Sequence, residues 1–208
     1  METPLNLQTC DILLCSGSSR LSRRIKTYNH LVGATGTAAS ISHVALAASG
    51  GSAVFEATTL NRWAGKSGVQ INPFDNWLSH YPGSVWVRRL HFLRPPEFEN
   101  KASDVMQGLI GLPYEHGIPG AFELLLCGIK WTWFCRLIDR DRRLQTVELH
   151  CTEAAARVLQ RLGLMHQIDR KGQFVYPNKL PPFQWWPGGR VETLFRSFIR
   201  IEEPVRIQ

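Results

Sequence analysis

The sequence predicts an α+β protein in which helices pack on one side of an antiparallel sheet. Its 208 residues are 44% hydrophobic and 20% charged, which is ordinary for a globular domain and excludes a coiled coil, a collagen and wholesale disorder. Two β-like runs, 41–48 and 52–58, flank Ser49-Gly50-Gly51, which is a hairpin signal. Other stretches repeat apolar residues at helical spacing, so strands and helices are interspersed along the chain.

The predicted strands are short apolar or β-branched runs bounded by turn-forming residues. Gly17 ends the first of them, and Pro95-Pro96 follow the fifth. Strands are predicted at 11–15, 41–48, 52–58, 69–71, 84–90 and 191–201.

The predicted helices carry apolar residues three or four positions apart. In the last of them Ala154, Val158 and Leu162 share one face, and Gly163 is suited to cap the C-terminus. Segments 33–40 and 176–189 are predicted to be irregular. Helices are predicted at 19–31, 73–79, 97–110, 118–137 and 146–162.

The domain organisation predicted from these elements is a single domain over 1–208. It carries an apolar helical insertion at about 115–145 and a C-terminal extension at about 181–208. The apolar stretch 118–137 contains Glu123, Lys130 and Arg136, so it is predicted to be a buried or interface-lying helix and not a membrane span.

The charge balance favours a polyanionic partner. The formal net charge is +7, and one cluster of cations lies at 20–26 and another at 136–143. An anionic polymer or a membrane surface fits this charge, whereas no nucleic-acid-binding motif accompanies it. The oligomeric state is not predicted.

The chain shows no secretory signal in its first residues. Residues 1–9 contain no Lys or Arg, and no long apolar stretch follows them. The expected location is the cytoplasm, or delivery by a phage particle or a secretion apparatus.

The cysteines predict neither a disulfide framework nor a zinc site. There are five of them, an odd number, and no C-x-x-C spacing occurs. The seven histidines are scattered without an H-x3-H pair. No metal and no cofactor is therefore expected. Four of the cysteines lie in apolar sequence and are predicted to be core residues, and Cys151 is the exception.

The first hairpin can bring a histidine and a carboxylate together. A two-residue turn sets His43 opposite Glu56, because paired numbers then sum to 99. A four-residue turn sets Glu56 opposite Ala45, on the same face and diagonal to His43. A carboxylate beside an imidazole fixes the tautomer and stabilises the imidazolium. The alternative is a cross-strand polar pair on a solvent-facing sheet.

Cys151 is a candidate nucleophile because it lies in the first turn of a predicted helix. Free backbone N–H groups and the helix dipole favour a thiolate there, and the same N–H groups can hold an oxyanion. The alternative is a small apolar residue on an amphipathic helix.

Six short segments, taken in their order along the chain, point to a known family. They are Asp11-Ile12-Leu13-Leu14, Ser42-His43-Val44-Ala45-Leu46, Val54-Phe55-Glu56-Ala57, Gly111-Leu112-Pro113-Tyr114, Cys151-Thr152-Glu153 and Tyr176-Pro177-Asn178-Lys179-Leu180. In this order they resemble the circularly permuted NlpC-type papain-like cysteine hydrolases, in particular the YiiX/YaeF-like group related to lecithin:retinol acyltransferase. Cys10 stands where that family usually has glycine, and the stretch 112–146 is longer than expected.

This resemblance implies a catalytic triad and a permuted papain-like architecture. Cys151 corresponds to the nucleophile, His43 to the general base and Glu56 to the residue that orients it. The implied activity is hydrolysis or acyl transfer at an amide or ester bond, with peptide or cell-wall peptide substrates first and lipid acyl groups second. The alternative is a catalytically silent binding or structural module that uses its basic and Trp-rich surfaces.

Overall fold

A computed structural model of the chain describes residues 6–61, 66–114, 150–166 and 180–208. These residues form eight strands and five helices. The strands are β1 (Ile12–Gly17), β2 (His43–Ala48), β3 (Ala53–Asn61), β4 (Lys66–Pro73), β5 (Gly83–Arg88), β6 (Leu90–His91), β7 (Arg200–Ile201) and β8 (Val205–Arg206). The helices are α1 (Arg20–Leu31), α2 (Gly36–Ser40), α3 (Phe74–His80), α4 (Pro96–Gln107) and α5 (Cys151–Arg161).

Six of the strands form one antiparallel sheet in the order β4-β3-β2-β1-β5-β8, and β6 pairs with β7 in a small second sheet. The α+β prediction is confirmed. The residues predicted to form a C-terminal extension, 181–208, supply the edge strand β8 and the fully buried side chain of Trp185.

Both faces of the central strands are buried, so the prediction that helices cover one side is wrong. Helices α4 and α5 pack on one face, and α3 covers the other with Phe74 and Trp77. Side chains alternate along a strand, so each central strand supplies both layers. The first layer contains Ile12, Leu14, Val44 and Leu46, and the second contains Leu13, Cys15, Ala45 and Ala47.

The structure confirms most predicted elements, with shifts of a few residues at their ends. The helix cap at Gly163 is confirmed: its φ is +75°, and the N–H of Leu164 donates to the carbonyl of Leu159 at 2.9 Å. The predicted helix 118–137 and the insertion 115–145 lie outside the described residues, so the single-domain organisation stays a prediction. No helix of the described ranges has the length and apolar content to cross a bilayer.

Two predictions for irregular and extended segments are corrected. Within the predicted loop 33–40, residues Gly36–Ser40 form α2. The predicted strand 191–201 begins instead as a 3-10 helix, Arg190–Leu194. Val191 and Leu194 are both buried, and a spacing of three suits a 3-10 turn and not the period of two of a strand.

Helix α5 lies against β2 and β3. Three of the side chains that it buries near its start belong to consecutive alanines, Ala154, Ala155 and Ala156, which lie in the same apolar layer as β2 and β3. Small side chains let the helix axis approach the sheet closely. The first residue of α5, Cys151, is thereby held beside the start of β2, where His43 lies.

Candidate active site

The turn between β2 and β3 decides how His43 and Glu56 meet. Ala48 pairs with Ala53, so the connection is the four-residue segment 49–52. This is the second of the two predicted registers. The last recorded pair of this ladder is Leu46 with Phe55. If the same register continues by one residue, Glu56 lies opposite Ala45 and is therefore diagonal to His43 on the same face of the sheet. The first register, with the two residues directly opposite, is wrong.

His43 and Glu56 form a hydrogen-bonded pair. Nε2 of His43 lies 2.9 Å from Oε2 of Glu56, and the two side chains are 13% and 5% exposed. The prediction that they meet is therefore confirmed in geometry. The solvent-facing alternative is wrong, because this face of the sheet is buried.

Two amides that the sequence analysis missed hold the other carboxylate oxygen. Gln70 Nε2 and Asn72 Nδ2 each donate to Oε1 of Glu56 at 3.2 Å. Both residues lie on β4, where Gln70 pairs directly with Glu56. The alternation of polar and apolar residues along β4 could have indicated that Gln70 and Asn72 share one face of the sheet. Whether that face is the one that carries Glu56 depends on the β3–β4 register, which the sequence does not state.

The Cys151 thiol meets the same imidazole. Its sulfur is hydrogen-bonded to the His43 ring and to the backbone N–H groups of Val44 and Thr152. Because Nε2 of His43 is engaged by Glu56, Nδ1 is the ring nitrogen left for the sulfur. The three predicted residues are thus brought into one continuous chain: thiol, imidazole and carboxylate.

The electrostatics of this chain favour an ion pair. Burial opposes ionisation of Cys151, but the hydrogen bond and charge of His43 and the two backbone N–H groups outweigh it, so the pKa of Cys151 is lowered. For His43, burial alone would lower the pKa. Its interactions with Cys151 and Glu56 prevail and raise the pKa to about 10. Both shifts favour the thiolate–imidazolium form of the pair.

Residue His150, immediately before the thiol, is the N-cap of α5. Its Nδ1 accepts the N–H of Glu153 at 3.3 Å and lies 3.0 Å from the hydroxyl of Thr152. The cap fixes the first turn. As the first helical residue, Cys151 has a backbone N–H without an intrahelical acceptor, which is a donor suited to an oxyanion.

A second cysteine lies close to the site but differs in its chemistry. Cys15 pairs with His43 across β1 and β2 and is fully buried. Its thiol is hydrogen-bonded to the hydroxyl of Tyr81, whose ring is stacked 6.5 Å from the His43 ring. Burial raises the pKa of Cys15 well above the ordinary value, so this thiol stays protonated while Cys151 ionises.

A cavity of about 390 Å³ opens beside the imidazole and is lined by His43 and Glu56. Tyr114, the last residue of the Gly111–Tyr114 segment, also lines it, whereas Cys151 is 5% exposed and is not among its lining residues. The other walls come from α1, from β3 and from the end of α3. They include Leu21, Ser22, Ile25, Thr58, Trp77 and Tyr81.

The fold and the site together define an α+β protein with a thiol, an imidazole and a carboxylate joined by hydrogen bonds at the start of a buried helix. No protein-family model matches the sequence, and no curated protein matches it either. Among solved structures the chain is similar to the metalloprotein YiiX (DUF1105) from Escherichia coli O157:H7, with a TM-score of 0.52 and 19% identity. The match covers 98% of this chain and 97% of that chain. At this identity the likeness shows a common fold.

Proposed function

We propose that this protein is a cysteine-dependent hydrolase or acyltransferase that cleaves an amide or ester bond through Cys151, His43 and Glu56. The observation that supports this most directly is the hydrogen-bonded chain of the three side chains, with the sulfur at a helix N-terminus. A nucleophile, a base and a group that orients the base are the parts that covalent acyl transfer requires.

In the first half of the proposed reaction the thiolate sulfur of Cys151 attacks the carbonyl carbon of the substrate. A C–S bond forms, and the π-electron pair moves onto the carbonyl oxygen. The imidazolium of His43 then gives its proton to the departing nitrogen or oxygen, the scissile bond breaks and an acyl-enzyme remains.

In the second half His43 acts as the base. Its neutral imidazole removes a proton from water, or from an acceptor alcohol or amine, as that molecule attacks the thioester carbonyl. The C–S bond breaks, the product leaves, and thiolate and imidazolium are restored. Glu56 keeps the ring oriented through both halves and stabilises the imidazolium.

The N–H of Cys151, at the start of α5, suits the negative charge that develops on the carbonyl oxygen. It is fixed by the helix that carries the nucleophile, whereas the next N–H groups, of Thr152 and Glu153, are engaged by the sulfur and by His150. Pre-oriented donors of this kind account for much of the rate enhancement in acyl transfer.

A peptide-type substrate, including cell-wall peptides, is favoured over a lipid acyl group. The support is the resemblance to permuted NlpC-type hydrolases, in which the His hairpin precedes the Cys helix as it does here. The common fold with YiiX is compatible with that assignment. Cytoplasmic location or delivery by a phage particle or secretion apparatus stays a prediction.

A metal centre does not fit the described residues, although the similar protein YiiX is described as a metalloprotein. Within the described ranges, no three His, Cys, Asp or Glu side chains are grouped so as to hold a metal ion. Both nitrogens of His43 are already engaged, by Glu56 and by Cys151, and the high pKa of His43 keeps the ring protonated.

The second candidate is a catalytically silent binding or structural module. The low exposure of Cys151 and its absence from the cavity lining favour it. Its proposed Trp surface is weakened, because Trp185 is fully buried and Trp186 packs edge-to-face on Trp86 at 5.8 Å. Trp131 and Trp133 lie outside the described residues.

Acyl-enzyme trapping distinguishes the two candidates. The protein is mixed with a p-nitrophenyl ester, the release of p-nitrophenolate is followed, and the protein is digested for mass spectrometry. An enzyme of the proposed type gives a burst approaching one equivalent and an acyl group on the Cys151 peptide. Cys151→Ala abolishes both signals, and His43→Ala slows the burst.

Cys15→Ala is the matched control, because it removes a buried thiol beside the same imidazole. It is expected to retain the burst. Absence of a burst in the wild-type protein, or acylation that persists in Cys151→Ala, would contradict the hydrolase proposal and leave the binding module. Synthetic peptides and acyl esters of increasing chain length then separate peptide from lipid substrates.

A further inference from the structure

The outer face of α1 concentrates positive charge. Between Asp11 and Glu56 the sequence has four Lys and Arg residues and no Asp or Glu, and all four lie on α1. The side chains of Arg20, Arg23 and Arg24 are exposed, and none forms an ion pair or hydrogen bond with the described residues. Their charges are therefore available to an external anion.

These arginines share one side of the helix with an exposed leucine. Together with Thr27 and Leu31, the three arginines recur at the spacing of one helix face and line a shallow groove, and we call these five residues the α1 surface. Leu31 is 80% exposed. The α1 surface thus combines strong positive charge with an unburied apolar group at its end.

The opposite face of α1 is anchored to the fold. Asn29 is fully buried and donates to the carbonyls of Ala39 at 3.1 Å and Ile41 at 2.8 Å. The ammonium of Lys26 donates to the carbonyl of Gly17 at 2.7 Å. The helix therefore presents the α1 surface in a fixed orientation.

The stability of α1 does not account for the charge. The helix begins at Arg20, and its first turn contains no acidic residue. Cations at a helix N-terminus are opposed by the partial positive charge of the helix dipole. Arg20 and Arg23, in the first turn, therefore oppose the helix that carries them, which is understandable if they serve contacts outside the protein.

We propose that the α1 surface docks the protein on an anionic lipid bilayer. The guanidinium groups match headgroup phosphates, to which they can donate paired hydrogen bonds. Leu31 can bury its side chain at the boundary of the acyl region, which a soluble polyanion does not offer. Leu21 and Ile25 of the same helix line the active-site cavity, so docking would bring the cavity close to the membrane surface.

This proposal does not depend on the proposed reaction, because binding is measured without turnover. The full-length protein is sedimented with vesicles of phosphatidylcholine mixed with phosphatidylglycerol, and with vesicles of phosphatidylcholine alone. The wild-type protein is expected to bind the anionic vesicles selectively and to dissociate as salt is raised.

The test variant is the triple change Arg20→Gln, Arg23→Gln and Arg24→Gln. Since each Arg near an anionic surface contributes about fivefold, the triple variant is expected to lose about a hundredfold in affinity. The matched control removes the same charge from exposed cations on other elements and is expected to lose little. It combines Lys101→Gln, Arg161→Gln and Arg200→Gln.

A second pair of variants tests the apolar contact. Leu31→Ser is expected to weaken vesicle binding about tenfold, since an inserted leucine side chain is removed from water. Leu93→Ser is the control, because Leu93 is 92% exposed near the Asp11 end of β1 and away from α1. Circular dichroism checks that every variant is folded.

Three outcomes would overturn the proposal. The first is equal binding of the wild-type protein to anionic and neutral vesicles. The second is an equal loss in the two charge variants, which would mean that net charge alone matters. The third is binding of soluble polyglutamate that depends on Arg20, Arg23 and Arg24 while vesicles are not bound, which would assign the α1 surface to an acidic polymer.

Discussion

Replacing His43 with alanine separates two opposing influences on the Cys151 thiol. Burial raises the pKa of that thiol, and His43 is the main group that lowers it. With the imidazole removed, only the backbone N–H groups of Val44 and Thr152 still oppose burial, so the pKa of Cys151 is expected to rise and the thiol form to gain at neutral pH. The rate of alkylation by iodoacetamide reports this change, because the thiolate is the reacting form.

The size of the effect follows from the fraction of thiolate. A cysteine with an ordinary pKa of about 8.5 is roughly 3% ionised at pH 7, whereas the lowered pKa of Cys151 increases its thiolate fraction. The lower nucleophilicity of a low-pKa thiolate cancels part of this gain. His43→Ala is therefore expected to slow alkylation of Cys151 at pH 7 by about tenfold or more.

The pH dependence gives the direction of the same effect. In the wild-type protein the rate falls only when the pH drops through the lowered pKa of Cys151, so labelling is fast at neutral pH. In His43→Ala the rate rises only above the ordinary thiol range, because burial then sets the pKa. Mass spectrometry of the Cys151 peptide follows each rate, and Cys151→Ala identifies the signal.

His30→Ala is the control, since His30 is an exposed histidine on α1. It is expected to leave the rate unchanged. Equal alkylation rates and equal pH profiles in the wild-type protein and in His43→Ala would refute the reasoning, because the thiol would then be independent of the imidazole.

Three further variants test the support of the site and of the fold. Asn72→Ala removes one amide donor to Glu56, so it should lower the free energy of unfolding, measured in urea, by about 1 kcal/mol and slow acylation of Cys151. The control is Asn76→Ala, which should change neither quantity because Asn76 is exposed. Gly163→Ala places a Cβ at a backbone φ of +75°, and no other atom lies within 4 Å of it, so its cost is purely conformational. A loss of about 1 kcal/mol in the free energy of unfolding is expected, which would lower Tm by about 2–4 °C. Gly108→Ala is the control in the same thermal scan, because the φ of Gly108 is −65°. Trp185→Ala should reduce the free energy of unfolding by about 3–5 kcal/mol because a fully buried indole is lost. The control is Phe198→Ala, which should leave stability unchanged because Phe198 is 63% exposed. Unchanged stability in Trp185→Ala would contradict the place of Trp185 in the core.

Local patterns predicted the elements well because each pattern depends on neighbours in the chain. The helical spacing around Ala154 and the cap at Gly163 are properties of one helix, and both are confirmed. Segment 191–201 failed for the opposite reason. Which of its apolar residues are buried depends on contacts with distant parts of the chain. Val191 and Leu194 are the ones that pack into the core, and their spacing of three suits a 3-10 turn.

The candidate site was predictable only in part. The alternation along β2 and β3 predicted that His43 and Glu56 share a face, and the turn left two registers open. Gln70 and Asn72 went unnoticed because their role depends on a third strand whose register is set by sheet packing. Cys15 was predicted to be a core residue, and it is fully buried. The sequence did not indicate that its thiol would be hydrogen-bonded to Tyr81, whose ring is stacked on that of His43.

By itself the sequence determined most of the strands and helices, the position of Cys151 at a helix start and the common face of His43 and Glu56, since period and parity are carried by the chain locally. Only the tertiary structure decided that helix α5 brings its sulfur to the imidazole across more than half the chain. That contact depends on how closely three alanines let the helix approach the sheet. The same packing sets the pKa values of the pair, because desolvation and charge act through space and not along the sequence.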